Sequence, residues 1–182
     1  CEDTVDGILS AIYDAGISGY GHEYIRIEPQ SPGYTTNRTL FSEYITVQTD
    51  SGKKDSVIKA VRSKISWKAY AFMMNALASD FSDRGDVVYR FVAYGFTMGK
   101  QVCEALQLPC VKRIFAINRA VQNEAHYFNE FLRFQEVAQE PSLLLGVIEP
   151  RHHVIPNLMQ HFGERFISEW FIIYDKTHQE AA

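Results

Sequence analysis

The chain has 182 residues, enough for one domain that buries roughly two thirds of the surface its unfolded form exposes. Its 46% hydrophobic and 22% charged residues argue against intrinsic disorder, and it holds no apolar run of about 18 residues that could cross a membrane. A formal net charge of −4 opposes long-range attraction to nucleic acid, so any such binding requires a local basic surface.

In chain order, Thr4 to Ala15 is predicted as a helix capped by Thr4, because Val5, Ile8, Leu9 and Ile12 repeat at helical spacing. Gly16 to Asn37 is crowded with Gly and Pro and reads as a long loop, with a short strand at Tyr24 to Ile27. Tyr44 to Thr49 alternates and predicts a strand that ends at Asp50-Ser51-Gly52. Helices follow at Lys54 to Ser63, at Ser66 to Ala78 with Ser66 as cap, and at Gly85 to Met98 with Gly99 as its stop. Val102 to Gln107 reads as a short helical turn.

Val111 to Val137 is the most periodic segment. Ile114, Ile117, Val121, Ala125, Phe128 and Leu132 share one arc, while Arg119, Asn123, His126, Glu130 and Arg133 lie opposite, so one long amphipathic helix is expected, with Val121 and Phe128 buried. Leu143 to Ile148 predicts a buried strand, Pro156 opens a helix running to Phe166, and Trp170 to Tyr174 predicts a last strand. Helices flanked by a few strands give the expectation of an α+β fold, a helix-rich single domain over 1–182 with a small, mainly antiparallel sheet. The chain opens at Cys1 and not at Met, which implies a missing N-terminal piece.

Cys1, Cys103 and Cys110 form an odd set without a C-x-x-C pair, which predicts free thiols in a reducing, cytoplasmic setting and no zinc or iron–sulfur cofactor. Gly95 to Gln101 resembles a P-loop but is one residue short between its glycines and lacks the Ser/Thr that reaches magnesium. Gly19-Tyr20-Gly21 has no third glycine and no strand-to-helix context. Zincin, serine-hydrolase and zinc-deaminase signatures are absent from the sequence.

Two polar groupings remain. The first comprises Glu124, His126, Glu130, Arg133, Glu149, His152, His153, His161, Arg165 and Asp175, in which histidines near carboxylates suit general acid–base chemistry. The competing reading is a solvated helix face for His126, Glu130 and Arg133, a polar loop from Glu149 to His153, and a helix-end brace for His161 and Arg165. Arg133, His126 and the segment from Glu149 to His153 are expected to meet in one place, with Arg133 and Glu149 forming a structural brace or half of an anion site. The second grouping is basic: Lys53, Lys54, Lys59, Arg62, Lys64 and Lys68 against Asp55 alone, with Trp67 and Tyr70 close by. Its alternatives are a nucleic-acid surface and an ordinary solvated helix face.

Several blocks carry a family resemblance. Val121 to His126 running into Phe131 to Phe134, Ile148 to Pro156, His161 to Phe166 and Trp170 to Asp175 resemble a bacterial family of DNA-metabolism and DNA-repair proteins classed as a domain of unknown function. The N-terminal Asp3 to Leu9 and Val47 to Asp50 fit the same pattern. The resemblance implies a radical-SAM partner protein, DNA as a further partner, and in some members fusion to a uracil-DNA glycosylase-like domain. It carries over Glu124, His126, Arg133, Glu149, Pro150, His152, His161, Arg165 and Asp175; Asn123 departs from it, standing where an Arg is usual. The resulting expectation is an accessory protein of DNA repair or DNA metabolism. Two alternatives accompany it: a small enzyme with a His/carboxylate site built from the candidates above, and a purely structural interaction domain.

Overall fold

The computed structural model describes residues 1–30, 40–137 and 143–182. Among the described residues the fold is α+β: six α-helices and a four-stranded mixed sheet, in which two of the three strand pairings are antiparallel. The chain divides into two compact units, one of Cys1–Leu77 with Phe81–Ala116, the other of Ala78–Asp80 with Ile117–Ala182.

The first unit is helical. Helix α1 (Val5–Ile17) starts where Thr4 Oγ1 accepts the Gly7 N–H at 3.0 Å, and it buries Ile8, Leu9 and Ile12. Helix α2 (Ser51–Ala60) is capped by Asp50, whose Oδ1 accepts the Lys53 N–H at 3.0 Å. It passes directly into a π-helical turn, Val61–Ile65, and Ser66 then caps helix α3 (Trp67–Leu77) by accepting the Ala69 N–H at 3.0 Å. Helix α4 (Arg84–Met98) ends at Gly99, whose φ of 60° lies in the left-handed region that residues with a Cβ avoid. A 3₁₀ segment, Gly99–Glu104, leads towards α5 (Pro109–Phe131).

The second unit holds the sheet, in the order β1 (Phe134–Val137), β2 (Leu143–Ile148), β3 (Trp170–Asp175), β4 (Glu180–Ala181). Strands β2 and β3 are parallel and are joined through α6 (Ile155–Arg165), a β–helix–β crossover; β1 and β4 run antiparallel at the edges. Val121 and Ala125 of α5, Ile148, Ile173, and Val154, Ile155, Leu158 and Phe162 around α6 form the buried core, with Phe128, Leu132, Phe134, Phe166 and Phe171 partly buried against it. Gly146 faces Phe134 across the β1–β2 ladder, and a Cβ there would lie 2.9 Å from the Phe134 ring, so only glycine lets that ring into the cluster.

Four local expectations need correction. Tyr44 to Thr49 forms no strand: alternation makes a strand only where another edge supplies hydrogen bonds, and Ile45 is exposed. Tyr24 to Ile27 is no strand either; a 3₁₀ turn covers His22–Tyr24, and extended chain follows. The long helix stops at Phe131, and Phe134–Val137 turns into β1 because β2 offers it a ladder. Phe128 is half-buried where full burial was expected, although Val121 is fully buried. The predicted loop over Gly16 to Asn37 lies partly outside the described residues.

Candidate functional site

In the second unit the parallel pair β2–β3 ends at Ile148 and Asp175, and polar side chains gather just beyond those carboxyl ends. Chain turning away from strand ends frees side chains from the ladder, a place where sites are commonly built. Glu124 of α5 reaches this place: its two carboxylate oxygens accept the consecutive backbone N–H groups of Arg151 and His152, each at 2.8 Å. His152 is buried, and its Nδ1 accepts the Asp80 N–H at 3.1 Å, which leaves the proton of the neutral ring on Nε2. Burial pushes the His152 pKa below the usual histidine value, against the pull of Glu124.

Asp175, fully buried, accepts the N–H groups of Thr177 and His178 at 2.9 and 3.1 Å, and its other oxygen takes the Nδ1–H of His178 at 2.6 Å. A carboxylate held in this way fixes the tautomer of His178 and leaves Nε2 free to accept a proton. The His178 ring lies on that of His153, with centroids 3.7 Å apart, and His153 faces Glu180 at 3.6 Å.

The strand-end region thus collects Glu124, Glu149, His152, His153 and Asp175 from the expected residues. Others lie elsewhere. His126 is exposed and pairs with Glu130 at 3.1 Å one turn along α5. His161 is exposed on α6, edge-on to Phe162, and Arg165 lies over Phe166 at the end of that helix. Arg133 and Glu149 do not meet: Glu149 takes Lys176 Nζ at 2.9 Å, because β3 continues alongside β2 and brings Lys176 to it, whereas Arg133 is exposed between α5 and β1. His178 is the residue that sequence reasoning passes over. Its spacing of three from an Asp at a strand end, D-x-x-H, is the signal that marks it. Among the described residues no three His, Cys, Asp or Glu form a group able to hold a metal ion.

The basic grouping lies in the first unit and divides in two. Lys53 and Lys54 are tied to α1, at 2.7 Å from Asp14 and 2.9 Å from Asp6. Lys59, Arg62, Lys64 and Lys68 form no ion pair among the described residues, and from Ser56 to Ser79 the chain contains no acidic residue. They ride the end of α2, the π turn and the start of α3. Arg62 lies over the rings of Trp67, at 4.4 Å from its centroid, and Tyr70, at 5.4 Å; Lys68 lies over Phe72. Trp67 is 62% exposed and, with Ile58, Lys59, Arg62, Ser63 and Asp55, lines a shallow cleft.

No helix among the described residues is long and apolar enough to cross a membrane. Comparison with curated proteins and with solved structures returned no match. The family model of DUF4130, a domain of unknown function, matches residues 82–182, which include α4, α5, α6, the whole sheet and the strand-end cluster. That match covers more than half of the chain, which therefore belongs to the DUF4130 family.

Proposed function

We propose that the protein is an accessory factor in bacterial DNA repair or DNA metabolism, one that holds nucleic acid for a radical-SAM partner enzyme. The observation that carries this reading is the basic ridge of Lys59, Arg62, Lys64 and Lys68, in which no cation forms an ion pair among the described residues, with Asp55 as the carboxylate nearby and an exposed indole beside it. Lys53, Lys54, Arg84 and Arg113 of the same unit are, by contrast, each paired with a carboxylate. Four neighbouring cations left to solvent have the composition of a phosphate-contacting surface. The test is binding of nucleic acid in a mobility-shift assay at low and moderate salt. Binding that weakens with salt and falls in Lys59→Gln/Lys64→Gln supports the reading, and so does co-purification with the radical-SAM protein. Salt-insensitive binding removes the ridge from it, and no binding at low salt overturns it.

A catalytic second reading has one observation in its favour, the hydrogen bond of buried Asp175 to His178 Nδ1, which leaves Nε2 as a proton acceptor. Its test is turnover of base-modified oligonucleotides followed by mass spectrometry. Loss of product in a folded His178→Gln variant supports it; absence of product from the unaltered protein removes it.

A further inference from the structure

We propose that the π turn between α2 and α3 builds a site for unpaired nucleic-acid bases, with Trp67 as the stacking surface and the surrounding cations as phosphate contacts. The inference rests on the accessory reading above and names the ligand more narrowly: a single strand, not a duplex.

Three features of the turn lead to it. A tryptophan exposed to 62% on a helix start exposes much apolar area, yet the cleft it lines is mostly polar, with Asp55, Lys59, Arg62 and Ser63 beside a single aliphatic residue, Ile58. The π turn places Arg62 back over the indole that follows it in sequence, while Tyr70 lies 5.1 Å from Trp67 at a 46° tilt. One small surface therefore holds two aromatic rings and a guanidinium. Finally, Arg62 is held to these rings by cation–π contact alone, with no carboxylate partner among the described residues. An exposed cation–π contact is weaker than a base stacked on an indole, so the guanidinium can leave the ring for a phosphate as a base takes its place.

Duplex DNA keeps its base faces stacked on one another and offers the indole nothing, whereas a single strand offers both an aromatic face and a phosphate at every nucleotide. Asp55 is the acidic residue of the cleft, and it stands on the α2 side among Lys59 and Arg62, so the local balance stays positive. Stacking reads no base edge, so the site takes single strands with little sequence preference.

The experiment uses the whole chain. Trp67 and Trp170 are its two tryptophans, so Trp170→Phe leaves Trp67 as the sole indole reporter. In that background, titration with an oligothymidylate of about 15 nucleotides is expected to quench Trp67 fluorescence, and a duplex of equal length to bind more weakly without quenching. Trp67→Ala is expected to weaken oligothymidylate binding by about 5- to 100-fold, the loss of one stacked base. Tighter binding of oligodeoxyuridylate or of oligouridylate, which differ in the 2′-hydroxyl alone, supports the site and names the sugar of its strand. Equal binding of single strand and duplex, with no quenching, overturns the stacking inference while the accessory reading stands. No binding of either at low salt overturns both. Trp67 fluorescence in the unaltered ridge reads stacking even should Trp67→Ala fail to fold.

Discussion

His152 is buried with Nδ1 occupied by the Asp80 N–H, so a second proton on the ring has to be accommodated without bulk water. Its folded-state pKa is therefore below the ordinary value of about 6.5, and protonation favours the unfolded chain. Stability contributed by neutral His152 is complete above about pH 6.5 and is lost as pH falls through the lower, folded-state pKa. His152→Asn keeps an acceptor for Asp80 and removes the titration. Melting temperatures from pH 7.5 down to 5 should fall less steeply in the variant, and parallel curves would clear His152 of this role. Cys103 and Cys110 present a second case: burial raises both thiol pKa values, which suppresses the reactive thiolate. A disulfide reagent should label Cys1 in the native chain, and the other two only after denaturation. Early labelling of Cys103 would show that its surroundings open.

Among the elements, legibility follows how local the cause is. The caps Thr4 and Ser66, Pro156 at the start of α6 and Gly99 after α4 act within one turn of chain, and each is visible as a residue type at a position. The end of α5 has no such mark. No glycine or proline separates Phe131 from Phe134, so the apolar spacing runs on, and β1 exists because β2 pairs with it. Tyr44 to Thr49 shows the converse, a strand pattern without a partner strand. The β1–β2 register gives a sharp test at Gly146. Gly146→Ala puts a methyl 2.9 Å from a ring that also meets Phe162, Phe166 and Phe171, so it should cost on the order of 1–3 kcal/mol. Phe162→Ala, at a buried site, should cost about 3–5 kcal/mol, and Phe128→Ala, half-buried, clearly less. Urea titrations that rank Phe128→Ala above Phe162→Ala would contradict the assigned core.

Across the whole molecule, the acidic excess belongs to the second unit, while acidic and basic residues nearly balance in the first, which bears the basic ridge. The net charge of −4 is thus a poor guide to local affinity. Exposed carboxylates of the second unit should still slow the approach of a polyanion wherever screening is weak, since the Debye length is about 30 Å at 0.01 M salt and about 10 Å at 0.1 M. Replacing Glu149, Glu164 and Glu169 by Gln should raise the association rate for an oligonucleotide at low salt and leave it unchanged at moderate salt. An equal gain at both would point to direct contact. The candidate site was legible in its parts and not in its assembly. Glu149, His152 and Asp175 stand out by residue type, but the parallel pairing of β2 with β3 is what brings two distant stretches of chain to one end of the sheet.

Glu124 lends itself to chemical complementation. Two successive backbone N–H groups pointing at one carboxylate form an anion cradle that the protein fills with its own side chain. Glu124→Ala empties the cradle and leaves both donors without their acceptor, at a cost on the order of 1–3 kcal/mol. A free carboxylate small enough to enter should then restore part of what was lost. Formate or acetate is expected to raise the melting temperature of Glu124→Ala in a saturable way, while equal chloride does less and the unaltered protein responds to neither. A response shared by both proteins would mean general salt stabilisation, with the cradle closed once its side chain is gone.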